Sequence, residues 1–272
     1  EDGLTANAIV TVTITDPNAA PLAVDDGYVV SEDDGAAVVG NALDNDSDPN
    51  SHTLTAGVQT NVAGTGGGLF SIGSDGAVTF DPNGEFEGLG AGDSVATTFQ
   101  YTVSDGFGGT DTATVTVTVN GVNDPPAAVD DAFLTGEDTA VVIDALDNDS
   151  DVDGDALTVT QIDGQPAAVG VPVVLDTGAG SVTLNLDGTL TFTPAADFEG
   201  PVSFTYQVGD GNGGFDTATV SGTVNAVNDP PELVPGSQPA DQAGDDGEVT
   251  APLDVSGAFD DVDGDPLEFT AI

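Results

Sequence analysis

The 272-residue chain contains no lysine, arginine, cysteine, methionine or tryptophan. Against a single histidine stand 48 aspartates and glutamates, giving a formal net charge of −48 at neutral pH. Nucleic acids and anionic membrane surfaces are polyanions that need a basic footprint, so both are excluded as partners. Without cysteine there is no disulfide, no thiol nucleophile and no Cys-ligated zinc or iron–sulfur centre. Without lysine there is no Schiff base and no lysine isopeptide cross-link. No apolar run approaches the roughly 20 residues a bilayer-spanning helix needs, and no cationic segment opens the chain. Membrane insertion is therefore not expected, and the sequence reads as an interior stretch of a secreted protein.

Such acidity often accompanies disorder, but 38% of the residues are hydrophobic and burial can compete with chain entropy. With 37 Gly and 16 Pro among many Val and Thr, the composition favours strands and turns over helices.

Internal repetition organises the chain. Val122-Asn123-Asp124-Pro125-Pro126 returns as Val227-Asn228-Asp229-Pro230-Pro231, Phe99-Gln100-Tyr101 as Phe204-Thr205-Tyr206, and Asp105-Gly106 as Asp210-Gly211. Asp44-Asn45-Asp46-Ser47-Asp48 returns as Asp147-Asn148-Asp149-Ser150-Asp151. The repeats place one domain at 19–123 and a second at 124–228. Residues 1–18, with alternating Ile9-Val10-Thr11-Val12-Thr13-Ile14, match a closing strand, and 229–272 match the opening half of a third domain. The chain reads as a window on a longer array.

Within each unit the hydrophobic period is two, in short runs broken by Gly, Asp, Asn and Pro. Strands are predicted near 128–135, 140–146, 156–162, 171–176, 202–209 and 215–226. A further stretch, 181–193, carries a tight turn at Asp187-Gly188, matched by Asp75-Gly76 in the first repeat. About seven short strands per domain is the pattern of a Greek-key β-sandwich. The fold class expected is all-β, as tandem sandwiches in an extended array. Phe99, Tyr101 and Val103, with Phe204, Tyr206 and Val208, alternate on one strand face and are expected in the core.

A carboxylate taken alone is a solvated surface charge. The stretch Asp147 to Asp155 is different, because it places an aspartate at every second position just before a strand, with no lysine or arginine in the chain to offset the repulsion. A multivalent cation is the remedy. Hard oxygen donors interspersed with Asn and Gly suit Ca²⁺, which takes six to eight oxygens, better than metals that select His or Cys. Asp149-x-Asp151-x-Asp153-Gly154 begins like an EF-hand loop, but Thr160 stands where the bidentate Glu belongs and a strand replaces the second helix.

These motifs resemble bacterial cadherin-like repeats, found in tandem in large surface adhesins and secreted matrix proteins. In that family calcium sits between consecutive sandwiches, and the resemblance assigns its ligands here. It implies one cluster of Glu32, Glu85, Glu87, Asn123, Asp124, Asp149, Asp151, Asp153, Asp155 and Asp210 joining the first two repeats. It implies a second of Glu137, Asp197, Glu199, Asn228, Asp229, Asp261, Asp263 and Asp265 joining the second to the third. There are departures. Eukaryotic cadherins carry an Asp two residues before the linker Asn, where this chain has Gly121 and Ala226. At the start of the first repeat the loop reads Asp46-Ser47-Asp48-Pro49-Asn50-Ser51-His52, and Ala19 replaces the linker Asp, so calcium is expected to bind there weakly or not at all. The segment from Phe259 to Phe269 resembles a dystroglycan-type cadherin-like variant.

His52 is expected as an exposed turn residue, since no Ser or Cys motif surrounds it. No nucleophile elbow, phosphate loop or His pair is present, and the chain is expected not to be an enzyme. The reading that results is a calcium-stiffened spacer of an extracellular bacterial adhesin or matrix fibre, whose partners are calcium ions and adjacent repeats. Two other readings stand beside it. One is a filament that self-associates by strand addition between the terminal half-domains. The other is a calcium-dependent glycan-binding module.

Overall fold

A computed structural model describes residues 9, 11, 17–237, 255, 257–264 and 266–268. The expected closing strand in 1–18 and Asp265 lie outside the described residues. The chain divides into two compact units. The first takes the chain up to Asp124 together with Val152–Gly154, and the second takes Pro125–Asp151 and the chain from Asp155 on.

In the first unit the strands are β1 (Asp26–Ser31), β2 (Ala37–Asn41), β3 (Thr55–Ala56), β4 (Gln59–Ala63), β5 (Leu69–Ile72), β6 (Ala77–Asp81), β7 (Ser94–Ser104) and β8 (Thr110–Asn120). They form two four-stranded sheets, ordered β1-β8-β7-β3 and β2-β6-β5-β4. The second unit repeats the plan with β9 (Asp131–Gly136), β10 (Val141–Ile143), β11 (Thr158–Ile162), β12 (Gln165–Pro166), β13 (Pro172–Val174), β14 (Gly180–Leu184), β15 (Leu190–Pro194), β16 (Gly200–Gly209) and β17 (Phe215–Asn225). Its sheets run β12-β11-β16-β17-β9 and β10-β15-β14-β13. A two-stranded pair, β18 (Glu232–Leu233) with β19 (Phe259–Asp260), follows. Among the described residues there is no helix.

The period-two pattern becomes burial directly. Along β8, Ala113, Val115, Val117 and Val119 are buried while the Thr residues between them face outward. Phe70 of β5 stacks on Phe99 of β7 at 4.6 Å, joining the two sheets of the first unit. Phe192 of β15 and Phe204 of β16 do the same in the second, with centroids 6.5 Å apart. Each such side chain, fully buried, contributes roughly 1.5–3 kcal/mol. The stretch 181–193 folds as the expected hairpin of β14 and β15, with Gly188 in the left-handed region at φ 90°.

Two features of this plan position the acidic residues. First, β1 pairs parallel with β8, and β9 parallel with β17, so the first and last strands of each unit end side by side. Glu32 directly follows β1 and Glu137 directly follows β9. Their backbone N–H groups continue the ladders by donating to the carbonyls of Asn120 and Asn225, each at 3.0 Å. Second, each unit anchors its loop 44–48 or 147–151 on a buried tyrosine. Tyr206 donates from its hydroxyl to the Ala145 carbonyl at 2.8 Å with the Asp149 carboxylate 3.0 Å away, and Tyr101 faces the Ala42 carbonyl, Asp26 and Asp46 in the same way.

Candidate metal centre

Both predicted clusters rest on one local arrangement, seen twice. The buried carboxylate of Glu32 accepts the Val122 N–H at 2.6 Å, and two residues on, the linker Asp124 N–H donates to Asp153 at 2.9 Å. In the second unit the buried Glu137 accepts the Val227 N–H at 2.6 Å, and the Asp229 N–H donates to Asp263, also at 2.6 Å. The backbone N–H groups orient the acids, and no cationic side chain takes part. The second Glu32 oxygen, Oε2, is buried with no hydrogen-bond partner. Burial raises the Glu32 carboxyl above its ordinary range, and the charges of Asp124, Asp153 and Asp33 add to the shift. Asp229 is also raised, by desolvation and then by Asp138, Asp263, Glu137 and Asp197.

Part of the second predicted cluster is brought together. Carboxylate oxygens of Glu137, Asp229 and Asp263 lie within 4.8 Å of one another. Glu137, Asp197, Glu199 and Asp263 line one cavity of about 260 Å³, and Asp197 and Asp229 line a neighbouring one of about 440 Å³ with Asp138, Glu232 and Asp260. Asp261 is buried and accepts the Asp263 N–H, while the Asn228 amide donates to the Asp229 carbonyl. Asp138, Glu232 and Asp260 were missed from sequence. Asp138 and Asp260 each adjoin a predicted ligand, and that adjacency was the available signal.

The predicted ligands of the first cluster divide into those that converge and those already engaged. Along one loop, Asp151, Asp153 and Asp155 bring carboxylate oxygens within 4.8 Å of one another. Asp155 is held by the Asn212 amide at 2.6 Å, and the buried Asp210 accepts backbone N–H groups from Asn212, Gly213 and Gly214. The Asn123 amide donates to the Asp124 carbonyl. Asp149 stands apart, because it holds the Tyr206 hydroxyl and the Val129 N–H. Glu85 accepts from the Gly68 N–H and the Asn83 amide, and Glu87 is half-buried beside the buried Phe86. Neither is among the carboxylates that converge.

Two departures from the family pattern gain a physical reading. A Cβ on Gly121 would lie 2.0 Å from the Leu89 carbonyl oxygen, so an Asp at that position would force the backbone apart. His52 is not the exposed turn residue expected. Its ring is half-buried, stacks on Phe107 at 4.1 Å, and lies near the Asp48 and Asp105 carboxylates.

The donors at both repeated sites are all oxygens, their orientation is fixed by backbone N–H groups, and a buried Glu32 oxygen is left without a partner. A hard divalent cation fits that set. Comparison with known proteins identifies the family. Residues 18–121 match the model of the bacterial cadherin-like domain, and residues 123–223 that of a bacterial Ig domain. A protein of Rhizobium johnstonii described as the calcium-binding lectin RapA2 is 31% identical over 236 residues, covering 75% of this chain and 98% of that protein. The chain belongs to the bacterial cadherin-like family.

Solved structures resembling this bacterial cadherin-like chain include three human cadherin ectodomain structures. CDH23 EC21-23 has a TM-score of 0.48 at 15% identity, covering 90% of this chain and 80% of that one. Mucin-like protocadherin EC1-2 has a TM-score of 0.45 at 17% identity, covering 76% and 98%. The desmocollin-1 ectodomain has a TM-score of 0.37 at 15% identity, covering 79% of this chain, which spans 44% of that one.

Proposed function

We propose that this chain is a calcium-stiffened, non-enzymatic spacer of an extracellular bacterial adhesin or matrix fibre, built from repeats bounded at 123/124 and 228/229. The observation that carries the reading is the repeated Glu–linker–Asp arrangement of Glu32/Asp124/Asp153 and Glu137/Asp229/Asp263, with the orphaned Glu32 Oε2 in its first copy. Calcium bound there supplies the positive charge the chain lacks and fixes the linker against the loop that follows it. The protein's own groups do the rest. Val122 and Val227 N–H aim the glutamates, and the Asp124 and Asp229 N–H groups aim the loop aspartates. Extracellular calcium modules bind in the range of roughly 10⁻⁴–10⁻³ M, so such sites would fill outside cells and empty inside. The test is calorimetric calcium titration of the chelated protein and its Glu32→Gln and Glu137→Gln variants. Each variant should lose binding equivalents and keep its fold. Absence of binding in the parent chain, or identical titrations for all three, would refute the assignment.

A second reading, a calcium-dependent glycan-binding module, is favoured by the relative described as a calcium-binding lectin. A glycan array with and without calcium separates the two, because a pure spacer retains nothing on it. The filament reading depends on strand residues outside those described and gains no support here.

A further inference from the structure

The loop 48–52 occupies the place in the first repeat that 151–155 occupies in the second repeat, yet its chemistry differs. Asp48 and Asp105 stand where Asp151 and Asp210 do, and His52 stands in place of Asp155. The residue facing that position changes with it. Asn212, whose amide holds Asp155 at 2.6 Å, is replaced by Phe107, on which the His52 ring stacks at 4.1 Å. One ligand atom from each of Asp48, His52 and Asp105 lies within 4.8 Å of the others, and His52 Nδ1 is 3.4 Å from Asp48 Oδ1.

The three groups are held from behind. Asp48 Oδ1 accepts the N–H groups of Asn50 and His52. Asp105 Oδ1 accepts those of Phe107 and Gly109, and its Oδ2 accepts the Asn18 amide at 2.6 Å. What is left over points to a ligand: the Asp48 side chain is 0% exposed, and its Oδ2 has no hydrogen-bond partner. An Asp48–His52 ion pair would use Oδ1 and leave that buried oxygen unsatisfied.

We propose that Asp48, His52 and Asp105 form a site for a divalent transition ion of the zinc type, distinct in selectivity from the calcium positions. An imidazole nitrogen with two carboxylates suits borderline metals, whereas Ca²⁺ gains little from nitrogen and here would lose Asp155's counterpart carboxylate. Ligands about 2.0–2.2 Å from a tetrahedral zinc lie roughly 3.3–3.6 Å apart; the His52–Asp48 pair at 3.4 Å already has that spacing, and the remaining pairs, within 4.8 Å, close onto the ion when it binds. Three protein ligands leave a fourth position for water.

The chain has one histidine and no cysteine, so one imidazole reports on the site without ambiguity. The experiment is NMR of the His52 ring in calcium-saturated protein while zinc chloride is added. The expected result is a shift complete at about one equivalent that a hundredfold excess of calcium does not reverse. Asp48→Asn and Asp105→Asn keep the oxygen that accepts the local N–H groups and keep the imidazole. Each should need at least tenfold more zinc. A ring that does not respond to stoichiometric zinc overturns the proposal, as does reversal by calcium. So does an unchanged response in both variants, which marks a lone histidine binding metal by itself.

Discussion

The loop 48–52 of the first repeat and the loop 151–155 of the second repeat share a hydrogen-bond frame and differ in the charges mounted on it. Asp153 accepts the N–H of linker Asp124 at 2.9 Å, and in the first repeat Asn50 accepts the N–H of Ala19 at 2.7 Å through the equivalent oxygen. The third instance, Asp263 with the Asp229 N–H, is ionic again. Asn50, Ala19 and His52 therefore replace three carboxylates while the loop keeps its path, and Ser51 even keeps the left-handed conformation of Gly154, at φ 62° against 78°. Loop geometry is thus separable from the charge it carries: backbone N–H groups set the first, and the number of acids sets the second.

The largest effect should come from removing calcium from the sites proposed at Glu32 and Glu137, neither of which draws a ligand from loop 48–52. At free calcium one hundred times the dissociation constant, each occupied site stabilises the native state by about 2.7 kcal/mol. Glu137→Gln keeps an acceptor for the Val227 N–H and removes the charge. Its melting temperature should match the parent in chelator and fall behind it in calcium. A sharper trial restores the missing charges with Ala19→Asp, Asn50→Asp, Ser51→Gly and His52→Asp together. This variant should bind additional calcium, and calorimetry showing unchanged stoichiometry would break the comparison.

Smaller effects test the frame itself. Asn50→Ala removes the acceptor for the Ala19 N–H and should cost about 1 kcal/mol in denaturant titrations, with calcium binding elsewhere unchanged. Asp153→Asn should do the reverse, keeping metal-free stability while weakening calcium binding. The smallest effect is on pH dependence. Burial beside Tyr101 and Tyr206 raises the carboxyls of Asp26 and Asp131 above the ordinary 3.8. The native state then holds more protons than the unfolded chain between that value and the raised ones. Stability of the chelated protein should accordingly increase as pH falls through that interval and decrease as pH rises through it, which urea midpoints at a series of pH values will show.

The sandwich was legible because its determinants are local. Alternation along 110–120 and 215–225, and Gly188 in its turn, need no distant partner to be read. The linker motifs were legible only as a repeat, Val122 to Asp124 returning as Val227 to Asp229; that their N–H groups meet Glu32, 90 residues away, and Asp153 comes from the fold. The division of labour among the acids was not legible. Asp149 looks like the first ligand of a calcium loop, yet its carboxylate faces the hydroxyl of Tyr206, 57 residues away. Glu85 sits in a family motif but holds the Gly68 N–H. His52 reads as a turn residue until Phe107 is brought against it by the fold. In each case the partner comes from another strand or loop, and composition and spacing carry no record of it.

The most direct test of the central claim is small-angle X-ray scattering of the chelated chain during calcium titration, alongside the double variant Glu32→Gln/Glu137→Gln. The account predicts that calcium converts a flexible scattering profile into that of a rigid particle for the parent chain, and that the double variant stays flexible at the same calcium concentration. A parent profile unchanged by calcium, or a double variant that stiffens as readily, would contradict it.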